Sequence, residues 1–209
     1  MTEGTKERIL RIALELFAQN GYLGTSMNDI AGPLGFTKAA LYKHYASKQE
    51  ILDKIVERMN KMDYERAESY EMPEAEPDGF AEAYLHTPVQ KIRAYSMAQF
   101  DHWTKESFSS TFRKMLTLEQ YADPALAQLF SAQYADGPLS YQTAMFKMLC
   151  EKGILKNGDP QVMALQFYAP MYLLLTECDR QPAREAEITA LLEQHIRQFC
   201  KIYGEECQA

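Results

Sequence analysis

The sequence predicts an all-α protein with a three-helix, helix-turn-helix head at the N-terminus and a larger helical domain after it. Apolar residues recur every three or four positions through most of the chain, as they do on one face of a helix. Ser, Thr and Pro residues stand where these stretches begin, which is where they cap a helix or occupy its first turn. We find no stretch with the apolar–polar alternation of a half-buried strand. We place the domains at 1–48 and 49–209.

The first helix carries an apolar stripe that includes Ile9, Ala13 and Phe17, and it ends near Asn20 and Gly21. Such a stripe is typical of a helix that packs against a core. The next segment, from 25 to 48, contains two helix-start signals about a dozen residues apart.

These two signals predict a pair of short helices joined by a tight turn. Thr25 or Ser26 can cap the first helix, and Thr37 can cap the second, because a hydroxyl oxygen accepts an unpaired amide of the first turn. Gly35 supplies the left-handed backbone that the turn needs. This is a helix-turn-helix pattern, in which the second helix presents polar residues to a DNA major groove. We assign Leu41 and Tyr45 of that helix to the core.

The rest of the chain is also predicted to be helical. A capping box at Ser47 and Glu50 begins a long helix that reaches about residue 70, and a Pro-rich acidic loop covers 71–79. Prolines stand near the starts of several later helices. We place these helices at about 88–105, 108–120, 124–135, 138–152, 160–178 and 183–203.

Composition restricts the class of protein. The chain has 209 residues, of which 46% are hydrophobic, and no apolar run reaches the roughly 18 residues of a membrane span. No secretory signal is visible at the N-terminus. Four cysteines without a C-x-x-C pair favour reduced thiols in the cytoplasm, with a disulfide or metal site as the lesser alternative. We expect no cofactor and no metal.

The distribution of charge favours a local contact with nucleic acid. The whole chain has a net charge of −7, yet residues 1–48 carry six basic and four acidic residues, a net charge of +2. A basic head on an acidic body can bind phosphates locally and discourages nonspecific wrapping. Such binding depends strongly on salt.

The N-terminal fifty residues resemble the TetR family of bacterial transcriptional regulators. The matching segments are ILRIALELFAQNGY, TSMNDIA and LGFTKAALYKHYASKQEIL, in that order. The resemblance implies a three-helix DNA-binding head and an all-helical C-terminal domain that dimerises and encloses a small-molecule pocket. It also implies a homodimer on an inverted-repeat operator, released by an effector. The chain departs from the family at Gly32 and Pro33, where Pro33 has no amide hydrogen for the carbonyl of Asp29, so we expect this helix to end early or bend.

Candidate DNA-binding residues follow from chemistry together with the resemblance. Thr25, Ser26 and Thr37 lie at helix starts, where they either only cap or also bind phosphate. Lys38 can reach guanine edges, and small residues beside it can touch thymine methyl groups. The resemblance implies phosphate contacts for the segment that follows. The remaining candidates are Ala39, Ala40, Tyr42, Lys43, His44 and Lys48, of which the lysines are alternatively only solvated.

The C-terminal domain offers two further candidate surfaces. Large soft side chains suit a site for a small, mainly apolar effector, although such residues also simply fill a core. The candidates for the effector pocket are Phe100, Trp103, Phe112, Tyr141, Met145 and Phe167. A stripe in the last helix and an apolar segment at 162–175 predict a dimer interface, in which a histidine is either pH-sensitive or only structural. The candidates for this interface are Leu165, Tyr172, Ile188, Leu192, His195, Ile196 and Phe199.

Three classes of function come into consideration. The leading one is a ligand-responsive DNA-binding regulator, and the resemblance implies that it acts as a repressor. Against an enzyme, the sequence contains no G-x-S-x-G, no P-loop and no H-E-x-x-H, and its four histidines are scattered. The third class is a DNA-bound protein of the same fold that recruits a partner and ignores small molecules.

Overall fold

The computed structural model describes residues 4–72, 89–156 and 158–204. Within these ranges the backbone forms α-helices, one short 3₁₀ helix and a single β-bridge between Leu155 and Gly204. The predicted all-α class is therefore confirmed. The helices are α1 Thr5–Asn20, α2 Met27–Leu34, α3 Lys38–Tyr42, α4 Lys48–Ser69, α5 Val89–Lys105, α6 Ser107–Glu119, α7 Pro124–Tyr134, α8 Asp136–Glu151, α9 Pro160–Arg180, the 3₁₀ helix Pro182–Arg184, and α10 Glu185–Tyr203.

One compact unit, which we call unit 1, comprises Met1–Glu65 and Glu106–Phe130. Within it α1 packs against both α2 and α6. The apolar residues that the head pattern predicted form the core of this unit. Ile9, Ile30, Leu41 and Ile55 are fully buried, and Tyr45 is buried as well. The three helices of the head thus share their core with α4 and α6.

The second compact unit, unit 2, comprises Arg66–Lys105 and Ser131–Ala209. Its central helix is α9, which packs against α8, α10 and α5. Met145, Phe146, Met163 and Phe199 belong to one buried cluster, against which partly buried aromatic residues pack. The predicted domain boundary at residue 48 lies within unit 1, and the division into domains by function stays a prediction.

Local sequence signals explain where the later helices begin. The Asp159 carboxylate accepts from the backbone amides of Gln161 and Val162, 2.9 and 3.1 Å away, and Pro160 occupies the first turn of α9. Glu106 caps α6 in the same way, because its carboxylate accepts from the amide of Ser109. The later helices thus begin within two residues of their predicted starts wherever both ends are described.

Parts of two predictions fall outside the described residues. The predicted loop 71–79 lies outside them from position 73 onward, and Cys207 lies outside them too. Cys150, Cys178 and Cys200 are thiols in the structure. Among the described helices, we find none whose length and apolar character would let it cross a membrane.

Candidate nucleic-acid interface

The start of α2 is fixed by a reciprocal cap. Ser26, not Thr25, is the N-cap residue, and its hydroxyl accepts from the Asp29 amide at 3.3 Å. In return, the Asp29 carboxylate accepts from the Ser26 amide at 2.8 Å and from the Ser26 hydroxyl at 2.7 Å. These hydrogen bonds, that from the side chain first, hold the pKa of Asp29 below its usual value. The Ser26 donors are therefore already used within the protein.

Thr25 faces the interior of unit 1. Its side chain is 2% exposed, and its hydroxyl lies 2.8 Å from the carbonyl oxygen of Gly21 and 3.3 Å from that of Leu16. A hydroxyl with its donor directed to these carbonyls braces the turn between α1 and α2. We therefore remove the Thr25 side chain from the candidate phosphate contacts, because the fold buries it.

The turn between α2 and α3 has the predicted geometry. Gly35 has a φ of 70° in the left-handed region, and its amide donates to the carbonyls of Ala31 and Gly32. The amide of Phe36 donates to the carbonyl of Ala31 at 3.0 Å, which completes a Schellman motif. We expected α2 to end early or to bend at Pro33, and the helix continues one residue beyond it, to Leu34. The amides of this turn thus supply hydrogen bonds to carbonyls in the last turn of α2.

The recognition helix α3 is short and begins at a threonine cap. The Thr37 hydroxyl accepts from the Ala40 amide at 3.1 Å, so its own hydrogen can be donated outward. Lys38, Ala39 and Lys43 are exposed, Tyr42 is 44% exposed, and Ala40 is half-buried. The structure therefore presents each of these predicted α3 residues at least partly to solvent.

His44 follows α3 and is held by an aromatic neighbour. Its ring stacks on Phe36, with centroids 6.0 Å apart and an interplanar angle of 16°. Phe36 belongs to the α2–α3 turn, so this contact joins the two ends of the recognition helix. The imidazole is half-buried, and it is less accessible than the neighbouring Lys43.

Lys48 is held by backbone groups of the protein. Its ammonium donates to the carbonyl of Tyr22 at 2.6 Å and to that of Thr25 at 2.9 Å. It also lies 4.4 Å from the centre of the Tyr22 ring. Burial lowers the pKa of Lys48, and the negative charge of Glu119 opposes this shift. The ammonium for which we predicted a phosphate contact thus already donates to two carbonyl oxygens of the protein.

Other cations of the head are also engaged. Arg8 donates to the carbonyl of Leu34 at 3.2 Å, across the end of α2, and Arg11 pairs with Glu15 at 3.0 Å. These contacts hold two further cations of the head to groups of the protein itself. Of the cations predicted to contact DNA, Lys38 and Lys43 are the exposed ones.

The six residues predicted for an effector pocket are divided between the two units, and their grouping in one pocket stays a prediction. Phe112 belongs to unit 1, where it is fully buried, whereas the other five belong to unit 2. Met145 and Phe167 share the buried cluster of unit 2, and Trp103 packs edge-on against Tyr134 with ring centroids 5.5 Å apart. The remaining two differ in their surroundings, since Phe100 is fully buried and Tyr141 is 39% exposed.

The residues predicted for the dimer interface divide into buried and accessible ones. Four of them, Ile188, Leu192, Ile196 and Phe199, are at most 6% exposed within the subunit, so their assignment to the interface is corrected. Their stripe on α10 faces the protein's own core. His195 points the same way, with Nε2 3.1 Å from the carbonyl oxygen of Phe167 on α9.

The accessible apolar residues lie on the opposite faces of the last two helices. Leu165 is 53% exposed and Tyr172 is half-buried, and both belong to the predicted interface. Other exposed residues also belong to the predicted apolar segment and stripe, although periodicity alone does not tell an inner from an outer face. These additional exposed residues are Val162, Leu173, Leu191 and Ile202, with exposed fractions of 47%, 60%, 52% and 50%.

Comparison with known proteins identifies the head. Residues 9–55 match the family model for bacterial regulatory proteins of the tetR family. The negative regulator of the biofilm operon icaADBC, IcaR from Staphylococcus epidermidis, is 44% identical over 52 residues, which are 25% of this chain and 28% of that protein. An HTH-type regulator from Bacillus subtilis, YerO, is 39% identical over 62 residues, 27% of this chain and 22% of that protein. The chain thus spans about a quarter of the length of these curated relatives.

Solved structures extend the likeness to the whole fold. A complex of SmeT with triclosan superimposes with a TM-score of 0.73 at 20% identity, covering 97% of this chain and 93% of that one. SmeT, the repressor of the multidrug efflux pump SmeDEF of Stenotrophomonas maltophilia, gives a TM-score of 0.67 at 20% identity, with coverages of 98% and 93%. At such low identity the likeness shows a common fold. Residues 9–55 therefore match the tetR family of bacterial regulatory proteins, and the whole chain shares its fold with these solved structures.

Proposed function

We propose that this protein is a transcriptional regulator that binds double-stranded DNA as a homodimer in the cytoplasm. The observation that carries this proposal is the exposed α3, which a capped α2 and a Gly35 turn hold in helix-turn-helix geometry. Nothing in the proposal requires catalysis, since binding alone performs the function of such a regulator.

The roles of the head residues follow from their exposure. Lys38 can reach guanine O6 and N7, while Ala39 and Ala40 can approach thymine methyl groups. Thr37, Tyr42, Lys43 and His44 are proposed to position the helix through phosphates, because a hydroxyl, an ammonium and an imidazole all donate to phosphate oxygens. The exposed Ser26 is proposed to contact phosphate only if its bonds to Asp29 rearrange.

The proposed dimer uses the outer faces of α9 and α10. Val162, Leu165 and Leu173 recur along α9, and Leu191 and Ile202 are exposed on α10. Several exposed large apolar residues on two helices that pack together favour an association surface. Two heads joined in this way would read an inverted repeat with half-sites about 34–36 Å apart, or a multiple of that spacing.

A small, largely apolar effector is proposed to release the operator. Support comes from the aromatic and methionine side chains of unit 2, among which Met145 and Phe167 lie in one cluster. A relative that represses and a similar structure bound to triclosan favour a repressor with an apolar ligand. Triclosan is therefore a reasonable first probe.

The test is fluorescence anisotropy with DNA from the region upstream of the protein's own gene, beside scrambled DNA of equal composition. Selective binding that weakens as salt rises supports the proposal. If neither this DNA nor a duplex selected from a random pool binds selectively, the proposal is wrong. Triclosan and a panel of apolar compounds are then added to the complex, and failure of every compound to release DNA would favour a regulator that recruits a partner instead.

A further inference from the structure

A cleft in unit 1 lies between the α1–α2 turn, α4 and the start of α7. Its volume is about 290 Å³, which is at the small end of the range for ligand sites in proteins. Tyr22 lines it from the turn, α4 contributes residues between 49 and 56, and the start of α7 contributes residues between 123 and 129. All of them belong to unit 1, whereas the aromatic and methionine cluster that supports the proposed effector belongs to unit 2.

Apolar side chains line the buried part of the cleft. Leu52 and Leu126 are only 4% and 2% exposed, and Val56 and Leu129 are half-buried. Ala125 adds a small side chain at an exposed position. These side chains can cover a hydrocarbon group, which is how most of a small ligand's surface is buried in protein sites.

Two carboxylates also line the cleft. Asp53 Oδ1 accepts from the side-chain amide of Gln49 at 2.9 Å, and Asp123 Oδ1 accepts from the backbone amides of Ala125 and Leu126, 2.8 and 3.3 Å away. The second oxygen of each carboxylate, Oδ2, accepts no hydrogen bond from the residues that the structure describes. Each carboxylate therefore keeps lone pairs for a donor from outside the protein.

Tyr22 adds a buried hydroxyl to the same cleft. Its side chain is 7% exposed, and its hydroxyl donates to Gln49 Oε1 at 2.8 Å, so the hydroxyl oxygen can still accept. Burial raises the pKa of Tyr22, and the negative charges of Asp53 and Asp123 raise it further. Both carboxylates therefore act on the surroundings of this hydroxyl.

No basic side chain is found among the described residues that line the cleft. Lys54, which follows Asp53, pairs with Glu57. Lys48 lies over the face of the Tyr22 ring and donates to two backbone carbonyls. The cleft thus combines negative charge with hydrocarbon surface, and a cation with a short apolar body complements both.

We propose that this cleft binds a small organic molecule that carries a primary ammonium group on a short hydrocarbon or aromatic body. The ammonium has three donors and no acceptor, and Asp53, Asp123 and the Tyr22 oxygen offer acceptors only. Hydrogen bonds between an ammonium and a carboxylate are roughly twice as strong as neutral ones. The apolar body lies against Leu52 and Leu126. Binding at this site requires neither DNA nor a second subunit, so the inference does not depend on the proposed function.

The experiment is an NMR titration of the full chain at neutral pH with three probes that share a phenyl group. These are 2-phenylethylamine, 2-phenylethanol and 3-phenylpropionate, which are cationic, neutral and anionic. We expect the amine to bind about tenfold more tightly than the alcohol, because its donor is charged, and to shift the methyl signals of Leu52, Val56 and Leu126. The proposal is overturned if the amine binds no better than the alcohol, or if about 10 mM amine leaves these methyl signals unmoved.

Two variants locate the ammonium in the cleft. Asp53→Asn and Asp123→Asn remove one charge each and keep the shape of the side chain, and asparagine can still cap α7. We expect each to weaken binding of the amine about fivefold and to leave binding of the alcohol unchanged. Glu65→Gln is the matched control, since Glu65 is an exposed acid of α4 that pairs with Lys61 and lies outside the cleft. Equal affinity of all three variants for the amine contradicts the proposal.

The variant at the exposed Asp53 keeps the test valid if Asp123→Asn does not fold. A lysine side chain of another protein would present the same ammonium on an apolar stem, so Nα-acetyl-lysine methylamide is titrated beside the amine. Weaker binding of this compound than of 2-phenylethylamine supports a small-molecule site. Tighter binding would overturn that assignment in favour of a protein partner.

Discussion

The guanidinium of Arg58 lies over the ring of Phe108, with its central carbon 4.0 Å from the ring centre. The same guanidinium pairs with the Glu7 carboxylate, 2.5 Å between Nη1 and Oε2. Arg58 belongs to α4, Phe108 to α6 and Glu7 to α1, so one side chain joins three helices of unit 1. Of these three helices, α1 also packs against α2.

Arg58→Lys should destabilise unit 1 although the charge is kept. A lysine ammonium has no planar group to stack on the Phe108 ring while it pairs with Glu7. We therefore expect the free energy of unfolding to fall by about 1 kcal/mol. Urea unfolding, followed by circular dichroism, measures this change. The matched control is Lys54→Arg, at an exposed ion pair with Glu57, which should change stability by less than about 0.5 kcal/mol. Equal midpoints for Arg58→Lys and the unaltered protein would show that stacking contributes nothing.

Two glycines of the head should respond oppositely to alanine. Gly32 lies inside α2, and an added Cβ would meet nothing within 4 Å, so Gly32→Ala should stabilise by about 0.5–1 kcal/mol. Gly35 has a φ of +70°, so Gly35→Ala should destabilise by about 1–2 kcal/mol. Thermal unfolding of the two variants provides the measurement, and a shift of both in the same direction would contradict the assigned geometry.

The Asp29 carboxylate should titrate with a pKa below its usual value of 3.8, because hydrogen bonds from Ser26 favour its charged form. A depressed pKa in the folded state contributes stability above the unfolded pKa, and this contribution is lost as the pH falls through the folded pKa. Ser26→Ala should raise the Asp29 pKa part of the way back, because the bond from the backbone amide remains. Carboxyl carbon shifts followed by NMR between acid and neutral pH report this pKa. Ser47→Ala, which alters the cap of α4, should leave it unchanged.

The outer face of α9 should hold the two subunits together. Leu173 is 60% exposed, so Leu173→Glu should convert the dimer to a folded monomer, because the new carboxylate would be buried without a partner in the interface. Sedimentation velocity measures the mass, and circular dichroism checks the fold. Leu118→Glu serves as the control, since Leu118 is 67% exposed but lies on α6 of unit 1. A dimeric Leu173→Glu would place the interface elsewhere.

Burial makes a contrasting prediction for Leu192, which the stripe on α10 assigns to the interface when the sequence is considered alone. Its side chain is 1% exposed within the subunit, so Leu192→Glu should unfold or greatly destabilise unit 2 rather than simply separate subunits. The thermal midpoint would fall together with the helical signal. A stable, folded monomer of Leu192→Glu would mean that this stripe does face the partner.

The helices themselves could be predicted from the sequence, because their signals are local. Ser26, Thr37 and Asp159 cap helices through amides two or three residues away, and Gly35 closes a turn within its own neighbourhood. Local geometry also shows how α2 can continue past Pro33. The proline removes one hydrogen bond late in α2, but the Schellman closure by Gly35 and Phe36 holds the last turn.

Which distant residue a side chain contacts depends on the folded structure and not on the local sequence. A lysine in a basic head suggests phosphate, yet Lys48 meets the carbonyls of Tyr22 and Thr25, residues 26 and 23 positions away. A stripe on α10 shows that one face is buried, but periodicity does not distinguish its own core from a partner's surface.

The all-α class, the helix-turn-helix and the resemblance of the head to the TetR family could be recognised from the sequence alone, because they depend on short-range capping and spacing. The partners of Lys48, the inward face of Leu192 and the outward face of Leu173 could not be recognised in this way. They depend on contacts between segments that are distant in the sequence, and only folding brings these segments together.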